Sequence, residues 1–391
     1  MEGRLIRSMN PWWWGGEDHH LSVLSEARYR ITPRWIERVS LEPFSLNFVL
    51  GPRQVGKTTG IKLIISRLTE EVDPSAVLYL DCEIFPDFSS LRRALEEFVD
   101  SVEGEFYVFL DEASSLPGWW RAVKPMVDAG LFRRGVVTVT GSSSLRVRRD
   151  AELFPGRMGR GRMVEVLPLG FPEFYELIGG GDPIEAFDLY LRVGGFPASV
   201  NGLPAAELLR ALVGEIVRMG RSLEVSREVL AAVVETAPSP VSYRTLASRT
   251  SGYSYKVVRD YVEFFRALFL LEVAPLRRGG RVLHRAERKV FFRDPLLARI
   301  AAEWSGARLL ESALYEWVVQ EHLLRAFGEV YYWRDGAEVD CVAGPLRVEV
   351  KAGKPHRRYP RGVLVLERED VPRFLLRLAG GGTGAEAGRG P

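Results

Sequence analysis

Two groups of residues near the start of this 391-residue chain have the types and spacing to handle a phosphate. The first is Gly51-Pro52-Arg53-Gln54-Val55-Gly56-Lys57-Thr58-Thr59, directly after the apolar run Phe48-Val49-Leu50. A glycine, four residues and then Gly-Lys-Thr is the pattern of a phosphate-binding loop. Its glycines let backbone N–H groups turn inward around a phosphate. A following helix, predicted from Thr59 to about Leu68, adds the positive end of its dipole. In such a loop Lys57 reaches the β- and γ-phosphates and the Thr58 hydroxyl ligates Mg²⁺. The implied ligand is a nucleoside triphosphate, ATP with Mg. The second group is Asp111-Glu112, at the end of the apolar run 106–110. Asp111 there orients Mg²⁺ through its water shell, and Glu112 polarises the attacking water as general base. The competing reading is an exposed acidic pair that caps a helix around Trp119. Thr140-Gly141-Ser142-Ser143-Ser144 closes another apolar run. Strand C-terminal ends line the ligand crevice of an open parallel sheet. A hydroxyl such as Ser142 can sense a γ-phosphate there, and a plain Ser/Gly turn fits as well.

A third group lies far downstream. Asp340 and Glu349-x-Lys351 flank the turn Ala343-Gly344-Pro345. Period-two alternation puts Glu349 and Lys351 on one strand face, and a hairpin brings Asp340 beside them. Two carboxylates bind a divalent ion, and a lysine positions or deprotonates water. This is the PD-(D/E)xK nuclease arrangement, with Glu316 on the preceding helix in its acidic helix position. Such a short pattern is weak alone. The alternative is an inactive scaffold that binds DNA or protein partners, the same residues forming an ion pair on a strand face.

Elements must place these groups. Apolar runs at 46–50, 77–80, 106–110, 136–140 and 163–166 alternate with helical stretches, which predicts a parallel sheet covered on both faces. From about Phe171 to Arg221 the pattern is helical, broken at Gly194-Gly195-Phe196-Pro197. Helices starting near Val241 and Ser254, then a strand at 268–273, have the spacing of a winged helix, with 254–265 as recognition helix. Tyr253, Tyr255, Lys256 and Arg259 could then meet a phosphate backbone, and Arg277, Arg278, Arg281 and Arg285 fall in the wing. A winged helix serving only protein contacts is the alternative. From about Ala307 a helix is followed by short strands.

The net charge of +2 is too small to argue for nucleic acid by itself. Only seven of the 53 basic residues are Lys, and Arg suits phosphate contacts better. Cys82 and Cys341 sit in apolar, strand-like runs, match no metal spacing and read as buried core thiols in a reducing cytoplasm. Trp12-Trp13-Trp14 is too short for a signal segment, and no 18-residue apolar run exists, so no membrane partner is expected. The Gly-rich stretch from Ala379 reads as disordered.

With these motifs in view, the chain resembles the archaeal and bacterial P-loop ATPases of the AAA+-related superfamily that carry a "GPRQVGKTT" loop. The resemblance rests on Gly51 to Thr59, Val108-Phe109-Leu110-Asp111-Glu112, Thr140 to Ser144 and Gly156-Arg157. It continues through Pro168-Leu169-Gly170-Phe171-Pro172-Glu173-Phe174, Gly194-Gly195-Phe196-Pro197, Glu338-Val339-Asp340 and the early Asn10-Pro11-Trp12-Trp13. It implies that Arg157 is an arginine finger acting across subunits. Arg146, Arg148, Arg149, Arg160 and Arg162 surround it, and a solvated basic loop is the other reading.

The expected fold class is α/β. A P-loop NTPase (AAA+-like) parallel-sheet core carries a helical lid, a winged helix and a small α+β nuclease-like domain. The expected boundaries are 1–44 for a segment packed on the core, 45–170 for the core and 171–222 for the lid. They continue with 223–290 for the winged helix, 291–378 for the nuclease-like domain and 379–391 for the tail. Two functional classes stay open. One is an oligomeric ATP-driven motor or remodeller of DNA, branched DNA included. The other is an ATP-driven signalling switch or regulator that recruits proteins.

Overall fold

The structure, a computed structural model, describes residues 2–142, 154, 156–335, 337–351 and 360–381. The chain divides into two compact units, Met1–Leu167 and Pro168–Pro391.

The first unit is built on five strands: β1 (Ser45–Leu50), β2 (Val77–Asp81), β3 (Phe106–Asp111), β4 (Gly135–Gly141) and β5 (Met163–Glu165). All pair in parallel, in the order β2-β3-β4-β1-β5. Every residue of β1, β3 and β4 is buried. Burial on both faces requires continuous apolar runs, which is why these strands read so plainly in the sequence. Helices Lys57–Leu68, Phe88–Ser101 and Trp120–Asp128 lie in the connections between successive strands. Phe88–Ser101 shows the local logic. Asp87 accepts the N–H groups of Ser89 and Ser90 at 2.9 Å, an N-cap. Leu91, Leu95, Phe98 and Val99 then bury one face at helical spacing. The helix after the loop starts at Lys57, two residues before the predicted Thr59.

The aromatic N-terminal segment has a structural task. β2 is an edge strand, whose backbone groups need partners. The Trp12 and Trp13 indoles donate to the Val77 carbonyl at 3.0 and 2.9 Å. The buried Asn10 amide donates to the Tyr79 carbonyl at 2.9 Å and accepts its N–H at 2.6 Å.

In the second unit, helices Leu223–Thr236, Tyr243–Ala247 and Tyr255–Ala267 lead into a hairpin of β6 (Leu271–Arg278) and β7 (Arg281–Phe292). It turns at Gly279 and Gly280, whose φ angles of 56° and 74° lie in the left-handed region. Helices Pro295–Ser305 and Glu311–Phe327 precede β8 (Tyr331–Asp335), β9 (Ala337–Ala343), β10 (Leu346–Lys351) and β11 (Leu364–Glu367). These strands form one mixed sheet in the order β11-β10-β9-β8-β6-β7.

Three expectations need correction. The strand placed at 268–273 begins at Leu271, because Leu268 caps the preceding helix and Phe269 turns the chain with φ 59°. Ala379 belongs to a helix, Asp370–Ala379, which the sequence pattern did not bring out. Its signal was present: Val371, Phe374 and Leu375 are buried at helical spacing. Cys82 sits in a short turn past β2 rather than in a strand, and both thiols are buried. Residues 382–391 of the predicted tail lie outside the described residues. Among the described residues no helix is long and apolar enough to cross a membrane.

Candidate functional site

The phosphate-binding loop joins β1 to helix Lys57–Leu68. Two of its residues, Gln54 (φ 61°) and Gly56 (φ 93°), take left-handed backbone. Gly51 is dictated by closeness, since a Cβ there would meet the Val166 carbonyl oxygen at 2.2 Å. Gly60 is dictated likewise by the Trp35 ring, 2.1 Å from where its Cβ would be. Pro52 and Val55 are buried. Arg53, partly exposed, pairs with Glu83 at 3.3 Å. Lys57 is buried, with its ammonium donating to the carbonyls of Gly51 and Pro52 at 2.9 Å each. Glu112 Oε1 lies 3.6 Å from it. Thr59 follows in the first helical turn.

Asp111 ends β3 and is almost fully buried. Four donors converge on it. Thr58 Oγ1 donates at 2.6 Å and the Tyr79 hydroxyl at 2.8 Å to Oδ2. The Thr140 hydroxyl and the Glu112 N–H donate to Oδ1. Charge-assisted bonds of this kind fix a carboxylate in direction. Glu112 takes left-handed backbone, φ 47° and ψ 40°, which a non-glycine residue rarely adopts. Its Oε2 is buried with no partner.

Ser142 is buried at the end of β4, its hydroxyl 3.5 Å from that of Ser114. Ser143 and Ser144, with Arg146, Arg148 and Arg149, lie outside the described residues. Arg157 pairs with Asp128 of the same chain, and Arg160 with Glu42. The acidic pair does not cap the helix near Trp119, since that helix starts at Trp120 with no side-chain cap.

Tyr79 and Lys62 escaped sequence reasoning. Lys62 is buried 3.0 Å from Asp18, with its ammonium 3.4 Å from the centre of the Tyr79 ring. Burial, countered by Asp18, pushes its pKa down. Burial and Asp111 push the Tyr79 phenol up, so it remains a donor. β2 is apolar on both faces, so no period distinguishes Tyr79 from its neighbours.

In the second unit the structure brings Glu316, Asp340, Glu349 and Lys351 together. Asp340 N–H donates to Glu349 at 3.2 Å, Val350 N–H donates to Asp340 at 3.0 Å, and Lys351 pairs with Glu349. A residue not foreseen stands among them. Lys289 of β7, 2% exposed, lies 2.8 Å from Glu316, 2.6 Å from Asp340 and 3.2 Å from Glu338. Burial, with Asp340 next to it, pushes the Glu316 carboxyl up, and the Lys289 ammonium opposes that shift. Among the described residues no group of three or more His, Cys, Asp or Glu is arranged to hold a metal ion. One oxygen each of Glu316 and Asp340 is taken by the Lys289 ammonium. The sequence signal for Lys289 was a charged residue within Glu287-Arg288-Lys289-Val290-Phe291 just before a run that reads as buried strand.

Lys256 and Arg259 are exposed on helix Tyr255–Ala267 and have no carboxylate partner among the described residues. Asp260 and Glu263 of the same helix pair with Arg221 and Arg266. Arg277 packs over Tyr331, with 5.3 Å from guanidinium to ring centre, and Arg278 pairs with Asp335 at 3.0 Å. Arg281 and Arg285 are exposed along β7.

Comparison with known proteins follows this geometry. Residues 44–175 match the family model described as AAA domain. No curated protein matches the chain. Among solved structures, the ORC2 protein of Aeropyrum pernix (ADPNP-ADP complexes) is similar at 12% identity and TM-score 0.42, over 73% of this chain and 93% of that one. The Holliday junction branch migration motor RuvB of Thermotoga maritima is similar at 14% identity and TM-score 0.35, over 75% and 96%. Cdc6p of Pyrobaculum aerophilum follows at 12% and 0.29, over 74% and 92%. The chain is α/β, with a P-loop NTPase core on a parallel sheet, matched by the AAA-domain model over residues 44–175, and a second, mixed sheet in its C-terminal unit.

Proposed function

We propose that this chain is an Mg-dependent ATPase of AAA type that works on DNA, branched DNA included, as a cytoplasmic oligomer. One observation carries the ATPase reading: Glu112, on strained backbone, holds a buried oxygen without a partner beside Lys57 and the Asp111–Thr58 pair. Strain of that kind costs about 1–3 kcal/mol and collects at functional sites. Lys57 exchanges the two neutral loop carbonyls for phosphate oxygens, which bear more charge. Thr58 and Asp111 are the residues that would hold Mg²⁺, and their oxygens suit a hard cation. Mg²⁺, when bound, neutralises charge on the phosphates. Glu112 takes the proton of the attacking water. Thr140 and Tyr79 keep Asp111 aimed, and Ser142 at the end of β4 reports on the γ-phosphate. Arg157 leaves Asp128 to serve the nucleotide of a neighbouring subunit, so ATP promotes self-association.

The DNA reading rests on the three helices and the β6–β7 hairpin, taken as a winged helix over 223–290. Lys256 and Arg259 then lie on its recognition helix, and Arg277 and Arg278 on its wing. Residues 171–222 act as the lid and 291–378 as a nuclease-like module. The buried free thiols suit a reducing compartment. A second reading, recruitment of proteins under ATP control, is favoured by Asp260 and Glu263, which make the same helix mixed in charge. ATP turnover without DNA and with duplex, single-stranded and junction DNA tests both. Stimulation by DNA is expected. Absence of gel-shift binding at low salt would leave the recruitment reading.

A further inference from the structure

The acidic centre of the second unit already contains a cation. An ammonium has three N–H donors. Those of Lys289 face three carboxylates from two elements: Glu316 of helix Glu311–Phe327, and Glu338 and Asp340 of β9. Three further oxygens nearby, on Asp340 and Glu349, are also engaged. Asp340 uses its other oxygen for Val350 N–H. Glu349 accepts from Asp340 N–H with one oxygen and pairs with Lys351 through the other. The Glu316 Oε1 that meets Lys289 also accepts from the Gln320 amide at 3.0 Å.

A divalent ion needs these same oxygens. Mg²⁺ takes near-octahedral oxygens at about 2.0–2.1 Å, and Mn²⁺ favours the same donor set. The Lys289 ammonium already holds Glu316 Oε1 and Asp340 Oδ1, so an ion placed there meets a fixed positive charge on the same carboxylates. The lysine cannot simply swing away, because it is buried on a strand whose neighbours Val290 and Phe291 are buried too. Removing it would leave carboxylates buried without a counter-charge, which proteins do not tolerate without a substitute. Gln320 would then help a replacement ion, since its Oε1 is buried with no partner and adds a hard oxygen beside Glu316.

We propose that Lys289 is the resident cation of this centre, so that the second unit contacts DNA without a metal ion and does not cut it, and that removing Lys289 opens a site for one divalent ion. The proposal rests on the DNA reading for its role but not for its chemistry. It also predicts a separation of parts: Asp340 and Lys289 act together as a structural pair, while Lys256 and Arg259 carry DNA.

The test counts Mn²⁺ bound to the nucleotide-free full chain by electron paramagnetic resonance, for wild type, Asp340→Asn, Lys289→Met and Lys289→Met/Asp340→Asn. Wild type and Asp340→Asn should bind the same number of ions. Lys289→Met should gain one ion per chain, absent again in the double variant. If Lys289→Met folds only when Mn²⁺ is added, as followed by circular dichroism, the proposal is supported as well. If it folds under no condition, Lys289→Met/Glu316→Gln removes one of the unpaired charges and is read in the same way. A wild-type Mn²⁺ ion that Asp340→Asn removes overturns the proposal, and so does a folded Lys289→Met that gains none. Gel shifts of wild type in EDTA and in Mn²⁺ run alongside. Equal binding and intact DNA are expected, and Mn²⁺-dependent cleavage overturns the proposal. No binding in either buffer removes the DNA reading and leaves the ion count to judge Lys289.

Discussion

Lys57 and Lys289 both face carboxylates, and their surroundings differ in one respect. Lys57 rests on two backbone carbonyls, with Glu112 no closer than 3.6 Å and one Glu112 oxygen unpartnered. Lys289 has a carboxylate for every N–H, all within 3.2 Å. The first lysine is held by weak neutral partners that a phosphate outcompetes, because charge-assisted bonds are about twice as strong as neutral ones. The second is matched by charge already, and a ligand gains nothing by displacing it. For these two ammonium groups, weak neutral partners leave room for a ligand, and a full set of carboxylates stabilises the fold.

The comparison breaks most visibly at Glu112. Glu112→Gln should keep ATP bound while slowing turnover by at least about a hundredfold, the scale of a missing general base. Lys57→Ala should abolish tight binding. Both should leave the melting temperature nearly unchanged, and steady-state turnover beside a thermal melt checks both statements. Unaltered turnover in the two variants would sink the ATPase reading.

The charge-paired networks of the second unit should behave in the opposite way. Glu321 is buried between Arg293 at 3.0 Å and Arg325 at 2.8 Å. Glu321→Ala removes the carboxylate shared by buried Arg293 and half-buried Arg325 and should cost about 3–5 kcal/mol in denaturant unfolding. ATP affinity of the folded fraction should not change. A destabilisation below about 1 kcal/mol would show that these charges are solvated in the folded protein.

His322 sharpens the same point through pH. Its Nε2 accepts the Phe171 N–H at 2.8 Å, and its other ring nitrogen lies 2.7 Å from the Val318 carbonyl. Burial, with the Arg325 charge next, lowers its pKa from 6.5 to about 4. The unfolded chain therefore binds the proton more readily. Stability from neutral His322 is full above pH 6.5 and is lost as pH falls toward 4. The total is about 3 kcal/mol. Asp294, which burial raises to about 6, works in the opposite direction over the lower part of that window. The measurement is thus the difference between wild type and His322→Gln, whose gap in unfolding free energy should narrow by about 3 kcal/mol between about pH 7 and pH 4. A constant gap would mean the imidazole charges freely in the fold.

The smallest effect belongs to the exposed basic face. Replacing Lys256 and Arg259 with Ala should reduce the slope of log affinity against log salt by about 2, one for each phosphate no longer neutralised. Affinity should fall alike on every DNA sequence, since phosphate contacts carry no base information. Sequence-dependent weakening would place these residues against bases instead.

Several family-like runs that look functional in the sequence turn out to be joints. A Cβ on Gly195 would meet the Leu169 carbonyl oxygen at 2.0 Å, and Gly195 N–H donates to Asp294 at 2.8 Å. Gly194, with φ 68°, leaves room for that same carboxylate. Phe171 in the Pro-Leu-Gly-Phe run is fully buried and hands its N–H to His322. Glycines and aromatics kept for close packing look, in one sequence, the same as glycines kept for a ligand.

The sequence alone determined the nucleotide loop, because its work is done by nine contiguous residues whose chemistry is local and whose strand and helix neighbours announce themselves by continuous burial. It also determined the five core strands to within a residue or so, for the same reason. Tertiary structure alone decided what surrounds Asp111 and what fills the acidic centre. Tyr79 reaches Asp111 only because β2 lies beside β3 with Tyr79 facing Phe109 in register. Lys289 reaches Glu316 and Asp340 because β7 and β9 belong to one sheet, with the helix Glu311–Phe327 packed against both. Those partners are 27 and 51 residues away in sequence. Which charges neutralise one another is set by strand order and register, and no local pattern of residue types encodes either.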